Sequence, residues 1–109
     1  MYEYAAQVIA IHDGDTVTLD VDLGLRTWNR GGKYRLFGIN APEFATPSGV
    51  DARQHLQELV GILPARLTVQ THKDATEKYG RWLATLIRPD GVDINASMLT
   101  DGFAVEYLP

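Results

Sequence analysis

The sequence of 109 residues contains no cysteine. This absence excludes a disulfide framework and any metal site built from thiolates. The sequence also contains no apolar run close to the roughly 20 residues that a membrane-spanning helix needs. Residues 1–4 carry an acid where a secretory signal carries basic residues, and no long apolar core follows. We therefore expect no membrane partner and a cytoplasmic chain as given, with secretion of a longer precursor left open.

Positive charge is scarce as well, with 10 Lys and Arg against 14 Asp and Glu and a net charge of −4. Non-specific binding of nucleic acid depends mainly on Lys and Arg that neutralise phosphates, so this balance is unfavourable for a general nucleic-acid-binding module. The charges nevertheless form two basic groups and one acidic stretch: Arg26, Arg30, Lys33 and Arg35; Lys78, Arg81 and Arg88; and Asp13, Asp15, Asp20 and Asp22. This segregation suits a polyanionic substrate held around a metal ion, and it equally suits an ordinary solvated surface.

Apolar residues make up 45% of the chain and charged residues 22%, which favours a packed globule. We predict a single domain over residues 1–109. Alternating apolar residues predict strands at residues 8–11, 16–23, 33–39, 65–72 and 81–88. Asp13-Gly14 predicts a hairpin turn, and residues 24–32 are predicted as a second connection with Gly31-Gly32 as its turn signal. Helical spacing predicts helices at residues 50–63, stopped by Pro64, and 95–100, stopped by Gly102.

The order of these elements predicts a mainly β fold with α (α+β). Its expected form is a five-stranded OB-fold Greek-key barrel with a helix after strand 3 and a short helix near the C-terminus. An SH3-like barrel is the main alternative, but a four-turn helix is not expected at that position.

Two segments early in the chain carry residues suited to phosphate chemistry. Turn chemistry alone explains Asp13, whereas Asp15 lies past the turn and begins a strand. Alternation places Arg35 on the apolar face of the third predicted strand, and a guanidinium there needs a carboxylate or a bound anion. A structural salt bridge is the alternative for Arg35. Glu43 follows a rigidifying proline, and its alternative is an ordinary acid in a surface loop.

The third segment is Lys78-Tyr79-Gly80-Arg81, at the entry to the fifth predicted strand. Two arginines, two or three carboxylates and no cysteine suggest a hard cation with oxygen ligands beside a phosphate clamp. The three histidines, His12, His55 and His72, are not paired at ligand spacing, and we interpret them as structural or solvated.

Together these motifs make the chain similar to the staphylococcal nuclease (thermonuclease-like) family. The matching segments are Asp13-Gly14-Asp15-Thr16-Val17, Arg35-Leu36 with Ala41-Pro42-Glu43, and Tyr79-Gly80-Arg81, in the order of the family. The resemblance extends over nearly the whole chain and implies the same barrel. It also implies a calcium-dependent nuclease that hydrolyses phosphodiesters of DNA or RNA and leaves 3′-phosphate ends.

The resemblance also implies a role for each matching position. Asp15, Asn40 and the main-chain carbonyl of Ala41 correspond to the calcium ligands, and Glu43 to the general base. Arg35 and Arg81 correspond to the phosphate clamp, and Lys78 and Tyr79 to contacts with the nucleotide. Asn40 stands where the family commonly has aspartate, which removes one negative charge and leaves open whether another divalent cation serves better. The place of Tyr107 stays open.

Two other functions remain alternatives. A nuclease-like domain with weak or no catalysis would only bind nucleic acid or a protein partner. Such degenerate domains typically lose the arginines or the general base, whereas Arg35, Glu43 and Arg81 are all present. A plain OB module for single strands would use exposed aromatics beside a basic groove, which the net charge of −4 disfavours.

Overall fold

A computed structural model describes residues 2–72 and 82–107 of the protein. Its strands are β1 (Tyr2–Asp13), β2 (Thr16–Asp22), β3 (Trp28–Leu36), β4 (Ile39–Asn40), β5 (Ala65–His72), β6 (Trp82–Ile87) and β7 (Val105–Glu106). The helices are α1 (Pro47–Val60) and α2 (Ile94–Thr100). None of the described helices is long and apolar enough to cross a membrane.

Five strands close into a barrel in the order β1-β2-β3-β6-β5. All neighbours are antiparallel except β3 and β6, which pair in parallel and close the barrel. The predicted α+β fold with an OB-like five-stranded barrel and two helices is therefore confirmed. A second sheet, in which β4 pairs with β7, was not predicted because two-residue strands are too short to show alternation.

The turn between β2 and β3 lies earlier than the sequence indicated. Gly31 and Gly32 lie inside β3, where the Gly31 amide donates to Asp20 Oδ1 over 2.8 Å. The chain instead reverses at residues 24–27, with the Thr27 amide donating to the Gly24 carbonyl. Leu25 and Arg26, the central residues, have φ angles of 53° and 61°, in the left-handed region that favours glycine. The glycine pair therefore predicted the wrong turn.

Helix α1 begins and ends three residues before the predicted bounds. Thr46 caps its N-terminus by accepting a hydrogen bond from the Gly49 amide over 3.0 Å, and Pro47 occupies the first turn. Proline is well suited to that position because its missing amide would have no helical partner. At the other end, Gly61 has a φ of 96° and stops the helix before Pro64. Capping residues, and not the apolar period, set both bounds.

The core fills the barrel and continues beneath the helices. Fully buried side chains come from the barrel strands and from both helices: Val8, Val17, Leu19, Leu36, Val69, Leu86, Leu56, Ile94 and Met98. Helix α1 packs mainly on β1 and on α2. The helices thus cover one side of the barrel and hold the loop after β4, which carries several of the candidate site residues.

Candidate active site

A polar cleft of about 250 Å³ opens beside the turn between β1 and β2. It is lined by residues from this turn, from β3, from the loop after β4 and from the segment after β7: Asp13, Asp15, Thr16, Arg35, Asn40, Ala41, Glu43 and Tyr107. All five candidate residues from the first two sequence motifs (Asp15, Arg35, Asn40, Ala41 and Glu43) therefore lie in one place. We call this space the cleft.

Asp15 lies in the turn itself, one residue before β2, so the prediction that it lies past the turn and begins a strand is wrong. It is the most buried acid of the cleft, with 7% of its surface exposed. Its Oδ1 accepts from the Thr16 hydroxyl over 3.0 Å, and its Oδ2 accepts from the Ala41 amide over 2.9 Å. A carboxylate offers about four acceptor positions, so these two bonds leave capacity for a further donor or a cation. The two hydrogen bonds fix the orientation of the Asp15 carboxylate.

Gly14 allows this arrangement because the hairpin turn lies directly against its neighbours. A Cβ atom at Gly14 would lie 2.8 Å from the Cβ of Ala52 on α1 and 2.9 Å from that of Ala41. Both distances are shorter than real Cβ contacts. The close approach brings Asp15 to the Ala41 amide, so the glycine serves the cleft as well as the turn.

Arg35 lies on the outer side of β3, with 12% of its side chain exposed. Its neighbours Tyr34 and Leu36 are buried in the core, so the prediction that Arg35 shares the apolar face is wrong. A turn at Phe37 and Gly38 interrupts the strand before Ile39, and the alternation assumed from the sequence does not continue through it.

The Arg35 guanidinium is held from several directions. Its Nη2 donates to Asn40 Oδ1 over 2.9 Å and to the Ile39 carbonyl over 3.2 Å. The same nitrogen lies 3.6 Å from Asp15 Oδ2, and the guanidinium carbon lies 4.8 Å from the centre of the Tyr107 ring. Within the described residues no hydrogen bond is recorded for Nη1 or Nε. The guanidinium is therefore oriented through Nη2.

Glu43 stands on a loop whose backbone is tightly fixed. The Glu43 carbonyl accepts from both the amide and the hydroxyl of Thr46, and a Cβ at Gly49 would overlap that carbonyl. The next residue, Phe44, donates its amide to Asp13 Oδ1 over 2.9 Å. The Glu43 side chain is exposed and lines the cleft. A rigid backbone thus presents a carboxylate to solvent.

Sequence reasoning missed Asp13 and left Tyr107 open. Asp13 was explained by the turn alone, but it lines the cleft and ties the turn to the loop that carries Glu43. Tyr107 reaches Arg35 because its amide donates to the Gly38 carbonyl over 2.9 Å, next to the pairing of β4 with β7. The spacing of Asp13 and Asp15 was a usable signal, whereas nothing local marked Tyr107.

The remaining site predictions fall on Lys78, Tyr79 and Arg81, which lie outside the described residues. Among the residues that are described, no group of three or more His, Cys, Asp or Glu side chains could hold a metal ion. Asp15 is accordingly the buried carboxylate on which a cation site in this cleft would have to be centred.

The histidines lie outside the cleft. His12 bonds to the Thr18 hydroxyl, and His55 bonds to Asp101 over 2.7 Å and stacks on Phe103. His72 stacks on Phe37 with ring centres 4.0 Å apart. Burial, and to a lesser degree the N-terminal charge, lowers the pKa of His72. These contacts join elements of the fold and do not reach the residues that line the cleft.

Comparison with known proteins identifies relatives over this whole region. A family profile described as "Staphylococcal nuclease homologue" matches residues 33–108. The chain is 34% identical over 113 aligned residues to a protein named "Micrococcal nuclease" from Shigella flexneri. It is 28% identical over 117 aligned residues to one named "Endonuclease YhcR" from Bacillus subtilis (strain 168).

Both alignments cover 96% of this chain but less of the relatives themselves. The chain spans 59% of the length of the Shigella protein and 9% of the Bacillus protein. The matched part is the barrel with its cleft and helices. The relatives contain further sequence outside these alignments.

Proposed function

We propose that this chain, which belongs to the family of staphylococcal nuclease homologues, is a calcium-dependent nuclease. Its substrate is DNA or RNA, and hydrolysis of the phosphodiester leaves 3′-phosphate ends. The observation that carries the proposal is the cleft, in which an oriented guanidinium lies beside one buried and two further carboxylates. The names of the two relatives, a nuclease and an endonuclease, support the same reaction class.

Arg35 would bind and stabilise the phosphate. Its Nη2 is committed to Asn40 and the Ile39 carbonyl, which leaves Nη1 and Nε to donate to phosphate oxygens. A guanidinium that is already oriented costs little reorganisation as negative charge develops on those oxygens. Arg81, outside the described residues, is proposed as the second clamp.

Glu43 would act as the general base. The exposed carboxylate lines the cleft from a fixed backbone, where it can take a proton from a water molecule. The oxygen of that water attacks phosphorus, and the bond from phosphorus to the 5′ oxygen breaks. The phosphate stays on the 3′ side, and the leaving 5′ oxygen takes up a proton to become a hydroxyl.

The donor atoms present in the cleft fit a hard divalent cation, because they are oxygens. The Asp15 carboxylate, the Ala41 carbonyl and the Asn40 side-chain oxygen would hold it. When bound, calcium polarises the phosphate and orients the water. Only one of these three ligands is charged, and Asn40 Oδ1 already accepts from Arg35. We therefore expect weak calcium affinity.

That sharing of Asn40 is the one observation that favours a second candidate function. A cleft with a single charged ligand suits a nuclease-like domain that binds nucleic acid with slow or no cleavage. This domain would retain Arg35 for phosphate contact but would not gain activity from calcium at any concentration.

The experiment that separates the two incubates purified protein with end-labelled single-stranded DNA and RNA, in calcium or in excess chelator. We expect cleavage only with the cation and products that carry 3′-phosphate ends. Arg30→Ala serves as the matched control for Arg35→Ala, since Arg30 is an exposed arginine of β3 that lies outside the cleft. Equal cleavage in chelator, or 5′-phosphate ends, contradicts the proposed mechanism. Binding without cleavage in either condition selects the second candidate.

A further inference from the structure

A second cavity, of about 200 Å³, shares no lining residue with the cleft. Its described lining includes Tyr4 of β1, Tyr34 of β3, Thr71 of β5 and Trp82 of β6, together with Leu23 and Asn29 near the turn after β2. We call it the aromatic pocket. Tyr34 and Arg35 are neighbours in β3 that face opposite sides of the strand, so the pocket and the cleft lie on opposite sides of it.

The pocket offers both flat apolar surface and a polar edge. The side chain of Trp82 is 53% exposed, although a tryptophan in a barrel strand is ordinarily covered. Asn29 Nδ2 donates to the Tyr34 hydroxyl over 3.2 Å, and Asn29 Oδ1 has no recorded partner among the described residues. Burial raises the pKa of Tyr34 above the ordinary value of a tyrosine.

Gly32 keeps this polar edge in place. A Cβ atom at Gly32 would lie 3.0 Å from Tyr34 Cε1 and 3.6 Å from Asn29 Nδ2. The space beside a residue without a side chain therefore seats the ring of Tyr34 and the amide of Asn29. An alanine at this position would press on the ring of Tyr34 and would touch the Asn29 amide at ordinary contact distance.

We propose that the aromatic pocket is a binding subsite for a single nucleobase of a nucleic-acid strand. Bases stack on aromatic side chains irrespective of sequence. The asparagine amide presents an adjacent donor and acceptor, which is the pairing that proteins use for the edge of adenine. This inference rests on the proposed function, in which the same strand places a phosphate in the cleft.

Size and charge both argue for a base and against a larger or charged ligand. The cavity is smaller than the ~300–1,000 Å³ of pockets that hold drug-sized molecules, so it accommodates one ring system. None of its described lining residues is charged, so those residues offer nothing to a phosphate. A base that enters from a strand would leave its sugar and phosphate outside.

The test is an NMR titration of the ¹⁵N-labelled full chain with adenosine. Adenosine carries no phosphodiester, so its binding is independent of the cleavage reaction. We expect saturable shifts of the Trp82 indole and the Asn29 side-chain amide, with little change at the amides of Asp15 and Ala41. Trp82→Ala should weaken the affinity about tenfold or more, and Trp82→Phe should retain most of it.

Trp28→Ala is the matched control. Trp28 is the other tryptophan, is 36% exposed and stacks on Arg30 outside the pocket, so its loss should leave adenosine affinity unchanged. Asn29→Leu, at an exposed position, should weaken binding without unfolding the barrel and serves where Trp82→Ala does not fold. Shifts centred on the cleft, equal loss in Trp28→Ala, or no saturable shift up to the solubility limit overturns the inference. Adenosine binding in the pocket of a protein that cleaves nothing would refute only the proposed hydrolysis.

Discussion

Strand β2 connects two turns of opposite character. At its start, the turn at Gly14 and Asp15 packs against α1 through Gly14, and Asp13 just before the turn is bonded to the loop that carries Glu43. At its end, the turn at residues 24–27 extends into solvent, and Leu25 is 100% exposed. The first turn is constrained by tertiary contacts. Among the described residues, the second turn is constrained only by its own hydrogen bonds and by Asp22, which accepts from the Gly24 amide.

This difference shows where the sequence of a turn reflects function. The Asp-Gly dipeptide at the first turn favours a hairpin. Each residue also has a tertiary role, because Gly14 packs closely against its neighbours and Asp13 accepts a hydrogen bond from Phe44. Leu25 and Arg26 are poor residues for a left-handed turn, and no described contact compensates them. Changes at the first turn should therefore affect the cleft, and changes at the second should affect stability alone.

The largest expected effect is at the cleft end of β3. Arg35→Ala should lower kcat/KM about 100-fold or more, because a donor to the developing phosphate charge is lost. The variant should still fold, since the side chain lies outside the core, with a lower melting temperature because Asp15 loses its neighbouring cation. Steady-state cleavage and thermal unfolding measure the two quantities, and Arg30→Ala at the far end of the same strand should leave activity unchanged. Unfolding of Arg35→Ala, with full activity in the remaining folded protein, would instead show that Arg35 is a structural ion pair.

The next effect tests the close packing of the first turn. Gly14→Ala should destabilise the fold by about 1–3 kcal/mol, because its methyl group meets Ala52 and Ala41 at less than contact distance. Activity of the folded protein should fall as Asp15 moves from the Ala41 amide. Ala52→Gly added to Gly14→Ala removes the clash with residue 52 and leaves the one with Ala41. Activity should therefore recover only in part, and the helix itself is weakened. Denaturant unfolding and kcat/KM of the double variant check this, and an unchanged activity in Gly14→Ala would separate the turn from the cleft.

A smaller effect is expected from the charge that Asn40 lacks. Asn40→Asp should tighten calcium binding roughly tenfold, since most of the added attraction to the cation is cancelled by lost hydration. Calorimetric titration measures the affinity, and activity at limiting calcium should rise with it. Unchanged or weaker affinity would mean that Asn40 serves only to orient Arg35, through the 2.9 Å bond seen here.

The smallest effect belongs to the second turn. Replacing Leu25 and Arg26 with Asn-Gly should stabilise the protein by about 1 kcal/mol, because asparagine and glycine tolerate the left-handed region. The replacement also removes an exposed leucine. Denaturant unfolding measures the gain, and kcat/KM should stay constant. A loss of stability, or a change in activity, would contradict the separation of the two ends of β2.

The barrel could be predicted from the sequence because its strands alternate, even though the glycine pair marked the wrong turn between β2 and β3. The bounds of α1 were wrong because apolar spacing begins at Val50, whereas the helix begins where Thr46 and Pro47 cap it. The side of β3 on which Arg35 lies was wrong because the turn at Phe37 and Gly38 resets the alternation. Neither error moved a candidate residue out of the cleft.

The candidate site was predictable only in part, for a physical reason. Asp15, Ala41 and Glu43 stand on short connections anchored to the barrel, and Asn40 ends β4, so their proximity follows from the fold and the motifs. Tyr107 reaches the guanidinium through one main-chain bond to Gly38, formed by segments distant in sequence. Such a contact leaves no local pattern. The roles of the cleft residues stay predictions until the variants are measured.

The parallel pairing of β3 with β6 also has a consequence for the rate at which the protein folds. Every other pairing in the barrel is antiparallel, and the hairpin of β1 and β2 needs only a two-residue connection. The β3–β6 and β1–β5 pairings both join segments that are distant in sequence. The entropy of closing these long loops is lost before their hydrogen bonds are gained. We therefore expect the hairpin of β1 and β2 to form early and the closure of the barrel to limit the folding rate. Since Arg35 lies in the β3–β6 pairing, its side chain would reach the cleft only as the barrel closes.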